Sequence, residues 1–199
     1  YIATPDQKII DIMKNAKGNV IKTSEHHETG TDRIYEVFKN ALNSEPNIIV
    51  NLQGDMPNIK PQSISNLVSY MKKSNCDIGT LASDFISKDE KKDSNVVKVA
   101  VENKLSEDVF LNAIDFSRID EKTKHNLYHH VGIYAFTNKA LIRYVGLERS
   151  KLELERKLEQ LRALENNMSI HVGYIKSSPL SVDTEKDLIE VKKIMENKK

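Results

Sequence analysis

One cysteine, Cys76, in 199 residues leaves no partner for a disulfide within the chain and no multi-cysteine zinc site. Neither sign of charge dominates. Thirty Lys and Arg against 29 Asp and Glu give a net +1, so no nucleic acid and no membrane surface is an expected partner. No apolar run approaches the ~18 residues of a membrane span. Proline (5) and glycine (7) are sparse and scattered, and no linker, internal repeat or low-complexity tract divides the chain. The signatures GxGxxG, GxxxxGK[ST], HExxH and GxSxG are missing, which removes sequence support for dinucleotide, P-loop, zincin and hydrolase-elbow chemistry. What remains is an ordinary globular balance, 39% apolar and 30% charged. A chain of this length buries ~70% of its unfolded surface without staples. A reducing cytoplasm is the expected compartment.

Apolar runs and helical periods alternate along this chain. Ile9, Ile10, Ile12 and Met13 predict a helix closed by Gly18. Ile34, Val37, Phe38, Ala41 and Leu42 recur at i, i+3, i+4, i+7 and i+8, an amphipathic helix beginning near Asp32. Asn47 to Leu52 is a short apolar run that suits a buried strand, and Ile64, Leu67, Val68 and Met71 mark another helix. Residues 77–82, 96–101, 131–136 and 170–175 read as strands; residues 139–145 and 152–164 read as helices. Leu154, Leu158, Leu161 and Leu164 would form one continuous stripe. Ser87 to Ser94 reads as a solvated loop. A closing helix spans Thr184 to Met195, with Leu188, Val191 and Met195 on one face and Thr184 as its cap. Alternating strands and helices predict an α/β fold with a mostly parallel sheet. In such sheets ligands bind beyond the carboxyl ends of the strands.

Several residues stand at those ends. Gln53-Gly54-Asp55 follows the 47–52 strand directly, and Asp55 lies where a cation or phosphate would sit; a plain strand-end turn is the other reading. Asp183 precedes the last helix, as a cap or as a second oxygen ligand for Mg²⁺. His26 to Arg33 reads HHETGTDR. Metal binding by His27 and Glu28 has no third ligand at suitable spacing. Thr29, Gly30 and Thr31 suit a loop presenting N–H groups to an anion, or a simple cap. Strand alternation puts His130, Gly132 and Tyr134 on one face, able to meet a hydroxylated or carboxylated ligand. Arg118 suits a carboxylate or a surface ion pair. Residues 156–162, RKLEQLR, read as a solvated helix face or an interface.

In order, the blocks HHETGTDR, VNLQGDMP, NVVKV, FSR, HHVGIYAF, LELERKLEQLRALENN and VDTEKDL resemble the 3-deoxy-manno-octulosonate (Kdo) cytidylyltransferase family over nearly the whole chain. LEQLRALE and HxGIY are the specific blocks; QGD is shared more widely among nucleotidyltransferases. The resemblance implies a Rossmann-like nucleotide-diphospho-sugar transferase fold over residues 1–199, with a small dimerisation subdomain around 103–166. It implies CMP transfer from CTP to Kdo, release of pyrophosphate, and a place in lipopolysaccharide assembly. It further implies Asp55 and Asp183 as Mg²⁺ ligands, and Thr29, Gly30 and Arg33 against the cytidine. Gln53, Arg118, His130, Tyr134, Glu159 and Gln160 would lie against the sugar, in a homodimer.

Departures from the family pattern are specific. QGDEP is QGDMP, so Met56 replaces an acid beside Asp55. VDTPED is VDTEKD, and Arg156 stands at an acidic position of SPLExxE. The family's opening PARxxSxRLPGKPL loop, which grips the CTP phosphates, has no counterpart before Tyr1. The expectation is therefore a fragment of a longer polypeptide that is inactive alone. Two readings compete with Kdo activation: a cytidylyltransferase for another acid sugar of sialic-acid type, and a non-catalytic dimerisation or binding module.

Overall fold

A computed structural model describes residues 1–41, 45–120, 123–182 and 184–196. The chain opens with strand β1 (Ile2–Thr4), helix α1 (Gln7–Asn15) and strand β2 (Val20–Lys22). Asp6 caps α1 by accepting from the Lys8 and Ile9 amides at 2.7 and 3.2 Å. β1 and β2 pair in parallel as a sheet of their own. Helix α2 (Gly30–Ala41), strand β3 (Ile48–Leu52), helix α3 (Pro61–Met71) and strand β4 (Ile78–Ser83) follow where periodicity predicts them. Leu42 lies outside the described residues. Pro61 takes the first turn of α3, where its missing N–H costs nothing.

Helix α4 (Lys88–Lys92) falls inside the segment expected to be a loop. Ser87 caps it, its hydroxyl accepting from the Glu90 amide at 3.1 Å. Strands β5 (Lys98–Val101), β6 (Phe110–Ser117) and β7 (Asn126–Thr137) come next, then helix α5 (Asn138–Val145). β6 is a strand that the apolar pattern does not announce. The continuous helix expected over 152–164 is broken into α6 (Lys151–Arg156) and α7 (Gln160–Glu165). Lys157 ends α6 in the left-handed region, at φ 54°. The break turns Leu158, Leu161 and Ala163 into the core and leaves Leu154 exposed, so the four-leucine stripe does not exist as one face. Strand β8 (Ile170–Tyr174) and helix α8 (Glu185–Glu196) complete the chain. Thr184 and Asp187 cap α8 reciprocally: Thr184 N donates to Asp187 Oδ2 at 2.8 Å, and Asp187 N donates to Thr184 Oγ1 at 3.3 Å. Of the face expected to be apolar in α8, only Val191 is buried; Leu188 and Met195 are exposed.

The larger sheet has the order β3-β7-β4-β8-β6-β5. β3, β4, β5 and β8 run one way, and β6 and β7 run against them. The common strand direction expected from the sequence is present, while β4–β8 is the one parallel ladder among the described pairings of this sheet. β7 is the organising strand. Its first residues pair with β5 and its later ones with β4 and β3, so β7, β4, β8, β6 and β5 form a closed circuit of neighbours. A register shift at Thr80/Leu81 lets β7 bend between the residues that pair with β5 and those that pair with β3.

Alternation along β7 feeds two apolar cores. Tyr134 and Phe136 pack with Phe116, Leu141, Tyr144, Leu158 and Leu161. Val131, Ile133 and Ala135 pack with Leu67, Met71 and Leu81 on the other face. Gly79 permits the close approach of α3 to β4: a Cβ there would lie 2.7 Å from Met71 Sδ and 2.8 Å from Leu67 Cδ1.

A buried ion pair fastens α6 to α7. Arg162 Nε and Nη2 donate to the Glu153 carboxylate at 2.8 and 2.6 Å, and the Arg162 guanidinium lies 4.6 Å over the Tyr144 ring. Burial raises the Glu153 pKa. Hydrogen bonding and charge from Arg162, with bonds from Ser150 and Arg149, outweigh it and hold the carboxyl below its usual value.

Candidate active site

A cleft of about 780 Å³ opens at the carboxyl ends of β3 and β6 and beside β7. Seven predicted residues meet there: Gln53, Asp55, Arg118, His130, Tyr134, Glu159 and Gln160. They come from the turn after β3, the end of β6, β7 and the α6–α7 break, positions far apart in sequence. The kink at Lys157 is what brings Glu159 and Gln160 to this wall. A straight helix would have carried them on around its axis.

Asp55 sits between two segments. Its backbone oxygen accepts from the Val182 amide at 2.9 Å, and its Oδ2 accepts from Ser181 Oγ at 3.3 Å. Its Oδ1 is buried and has no hydrogen-bond partner among the described residues. A carboxylate oxygen withdrawn from water and left unpaired is costly unless a ligand completes it. Leu180 N, donating to Asn58 Oδ1 at 3.0 Å, ties the same two segments again. Met56 is buried in the core on the α3 side, so the residue at the family's acidic position serves packing. The Gln53 side chain lies over Gly132.

Arg118 donates through Nη1 to the carbonyls of Ser94 and Asn95, each at 3.2 Å. Its Nε and Nη2 make no hydrogen bond among the described residues. Beneath it, Lys98 is 1% exposed and gives its three N–H groups to Asp93 O, Val96 O and Arg118 O. Burial pulls the Lys98 ammonium below its usual pKa, opposed by Asp93 and Asp120. The 93–97 wall, Arg118 and β5 are thus one braced unit.

His130 is 6% exposed, and burial, aided by His129, pushes its pKa down to about 3, so the ring is uncharged at neutral pH. Its Nε2 lies 2.9 Å from Thr80 Oγ1. Tyr134 is buried beside it, ring centroids 5.5 Å apart, and burial holds its phenol well above the usual value. Burial also raises the Glu159 carboxyl, with Thr31 and Thr29 hydrogen bonding in opposition. Glu159 Oε2 is a second buried oxygen with no hydrogen-bond partner among the described residues.

Thr29, Gly30 and Arg33 do not line this cleft. Thr29 Oγ1 accepts from the Asp32 amide at 3.2 Å and donates to Asp32 Oδ2 at 2.7 Å, fastening the start of α2. Arg33 donates to Thr23 Oγ1 at 2.7 Å and Ser24 O at 2.8 Å, tying α2 to the segment after β2. Thr31, at the start of α2, shares a small crevice with Glu159 and Gln160, which sets the two regions side by side. His27 pairs with Glu36, and Glu28 with Arg149 at 2.8 Å. Asp183 lies outside the described residues. The sequence reading missed Thr80, Lys98 and the Ser178–Ser181 wall. A lysine inside the apolar NVVKV strand was the available signal for Lys98; Thr80 and the wall carried none.

The cytidylyltransferase family model matches residues 1–170. The 3-deoxy-manno-octulosonate cytidylyltransferase of Bartonella quintana is 47% identical over 178 residues, covering 88% of this chain and 72% of that protein. The Rickettsia akari enzyme of the same name is 42% identical over 200 residues, covering 99% and 78%. The chain belongs to the 3-deoxy-manno-octulosonate cytidylyltransferase family. A solved CMP:2-keto-3-deoxy-manno-octonic acid synthetase complexed with CTP superposes on this cytidylyltransferase with a TM-score of 0.86 at 31% identity, over 99% of this chain and 80% of that one. UDP-glucose pyrophosphorylase, at 12% identity and a TM-score of 0.61, shares the fold alone. Among the described residues of this family member, no helix is long and apolar enough to cross a membrane.

Proposed function

We propose that this cytidylyltransferase transfers CMP from CTP to the anomeric hydroxyl of Kdo. The oxygen–phosphorus bond to the α-phosphate forms as the bond to the β-phosphate breaks. Pyrophosphate leaves, and the hydroxyl proton passes to solvent. One observation carries the reading: the cleft that gathers Gln53, Asp55, Arg118, His130, Tyr134, Glu159 and Gln160 in a chain of this family. Positioning and electrostatics supply most of the rate in such a transfer.

Asp55 fits a hard cation, because Oδ1 is buried and unpaired. Among the described residues no cluster of three His, Cys, Asp or Glu could hold a metal. A site of one or two carboxylates completed by substrate oxygens is the form Mg²⁺ commonly takes. Mg²⁺, when bound, supplies charge neutralisation for the triphosphate. The VDTEKD motif supports Asp183 as the second carboxylate ligand. Arg118 offers a fork to the sugar carboxylate. Gln53, Gln160 and Tyr134 suit hydroxyls, and the threonine turn before α2, with Gly30 and Arg33, suits the cytidine side. The reading includes a cytoplasmic homodimer that feeds lipopolysaccharide assembly.

The test is pyrophosphate release from CTP and Mg²⁺ with Kdo, with a sialic acid, and with no sugar. Release that needs Kdo and disappears in Asp55→Asn supports the proposal. Release with sialic acid but not Kdo would replace it by the neighbouring acid-sugar reading. Mg²⁺-dependent CTP binding without turnover of any sugar would point to a binding module.

A further inference from the structure

His130 has two ring nitrogens, and the fold distinguishes them. Nε2 lies 2.9 Å from the hydroxyl of Thr80 on β4. That hydroxyl is fully buried and has a single proton. The proton goes to the carbonyl of Ile133 at 2.7 Å, with Val131 O more distant at 3.3 Å. The Thr80 oxygen therefore faces His130 with a lone pair, and Nε2 must carry a hydrogen to meet it. Nδ1 has no partner among the described residues. The ring is held in place by Phe116, edge-on at 5.0 Å between centroids, and by the His130 amide, which donates to Val97 O at 2.9 Å.

We propose that Thr80 is a positioning residue that locks His130 in its Nε2–H tautomer and so offers the Nδ1 lone pair to a hydroxyl of the acid sugar. The inference rests on the acid-sugar reading above for the identity of the ligand, and on the Thr80 geometry alone for the tautomer. It divides the labour within the cleft. The neutral imidazole accepts from a hydroxyl and leaves the sugar carboxylate to Arg118. The pKa of about 3 agrees with this division, since an imidazolium would have no acceptor to offer. The lock also uses the β7 bend. The register shift at Thr80/Leu81 is what sets Thr80 within reach of both His130 and Ile133.

The experiment uses the full chain labelled with ¹⁵N-histidine, with the His130 signals assigned by their loss in His130→Gln. At pH 7 the unmodified chain and Thr80→Ser are expected to show the Nε2–H tautomer. Thr80→Val keeps the shape and removes the hydroxyl, so it is expected to show Nδ1–H or a mixture. In titrations, Kdo binding to Thr80→Val should weaken about tenfold, the worth of one misplaced hydrogen bond, with CTP binding unchanged and Thr80→Ser restoring it. Because the tautomer is read on the free protein, a failure of cytidylyl transfer leaves this result standing. Nδ1–H or a charged ring in the unmodified chain overturns the proposal. So does equal weakening of Kdo and CTP binding in Thr80→Val, which would mean general damage, or a Thr80→Val chain whose tautomer is unchanged.

Discussion

Lys98 Nζ lies 2.8 Å from the carbonyl oxygen of Arg118 and within 2.8 Å of the carbonyls of Asp93 and Val96, so one buried ammonium braces the strand end and the loop that form a wall of the cleft. Lys98→Met removes three donors; Asp93 O keeps the Val96 amide, while the carbonyls of Val96 and Arg118 lose this partner. At ~1–3 kcal/mol for an unpaired buried group, discounted because these carbonyls are only part-buried, a loss of ~1–3 kcal/mol of stability is expected in denaturant unfolding. In the folded fraction, KM for Kdo should rise more than KM for CTP, because Arg118 depends on this brace. An unchanged midpoint of unfolding would contradict the role given to Lys98.

Asp55→Asn should leave the fold intact, because Asn can still accept from Ser181 through its carbonyl oxygen. It removes the charge at the unpaired Oδ1 position. Turnover is expected to fall by ~100-fold or more, the usual scale for losing a group that stabilises developing charge. The Mg²⁺ dependence of CTP binding should weaken with it. Circular dichroism matching the unmodified chain would exclude misfolding as the cause.

Glu153→Gln breaks a buried ion pair and leaves the Arg162 charge with only Asp32, 3.9 Å away. Removing one partner of such a pair commonly costs ~3–5 kcal/mol. The same helix pair carries Gln160 to the cleft, so turnover should become heat-labile while cleft residues remain chemically intact. Thermal unfolding followed together with activity would test this.

His130 makes stability depend on pH with a defined sign. Its folded pKa lies near 3, below its ordinary 6.5, so below pH 6.5 the unfolded chain binds a proton that the folded chain refuses. This contribution is fully present above about pH 6.5. It is lost by ~1.4 kcal/mol per pH unit on the way down to about pH 3. Comparison with His130→Gln isolates it: the unmodified chain should lose stability faster than the variant between pH 6 and 4, measured by urea unfolding.

Local pattern and long-range placement were legible to different degrees. The repeat of Ile34, Val37 and Phe38 defined α2 because one apolar stripe packs on one side. The leucines of 152–164 carried the same spacing and misled, because Lys157 takes a left-handed conformation that the spacing cannot register. β6 went unread because Asn112 and Asp115 interrupt its apolar alternation, and its pairing comes from β5 and β8, distant in sequence. In the cleft, Asp55 and His130 were legible from strand ends and motif order. Thr80 was not: a threonine in an apolar strand has no meaning until β7 brings His130 beside it.

The most direct measurement is ³¹P NMR, with CTP, Mg²⁺ and Kdo, of this chain supplied with the phosphate-gripping loop that the family pattern expects it to need. The account predicts that the CTP signals are replaced by a phosphodiester signal and pyrophosphate in equal amounts, dependent on Kdo and abolished by Asp55→Asn. CTP left intact in the presence of Kdo, or consumed equally without it, would contradict it.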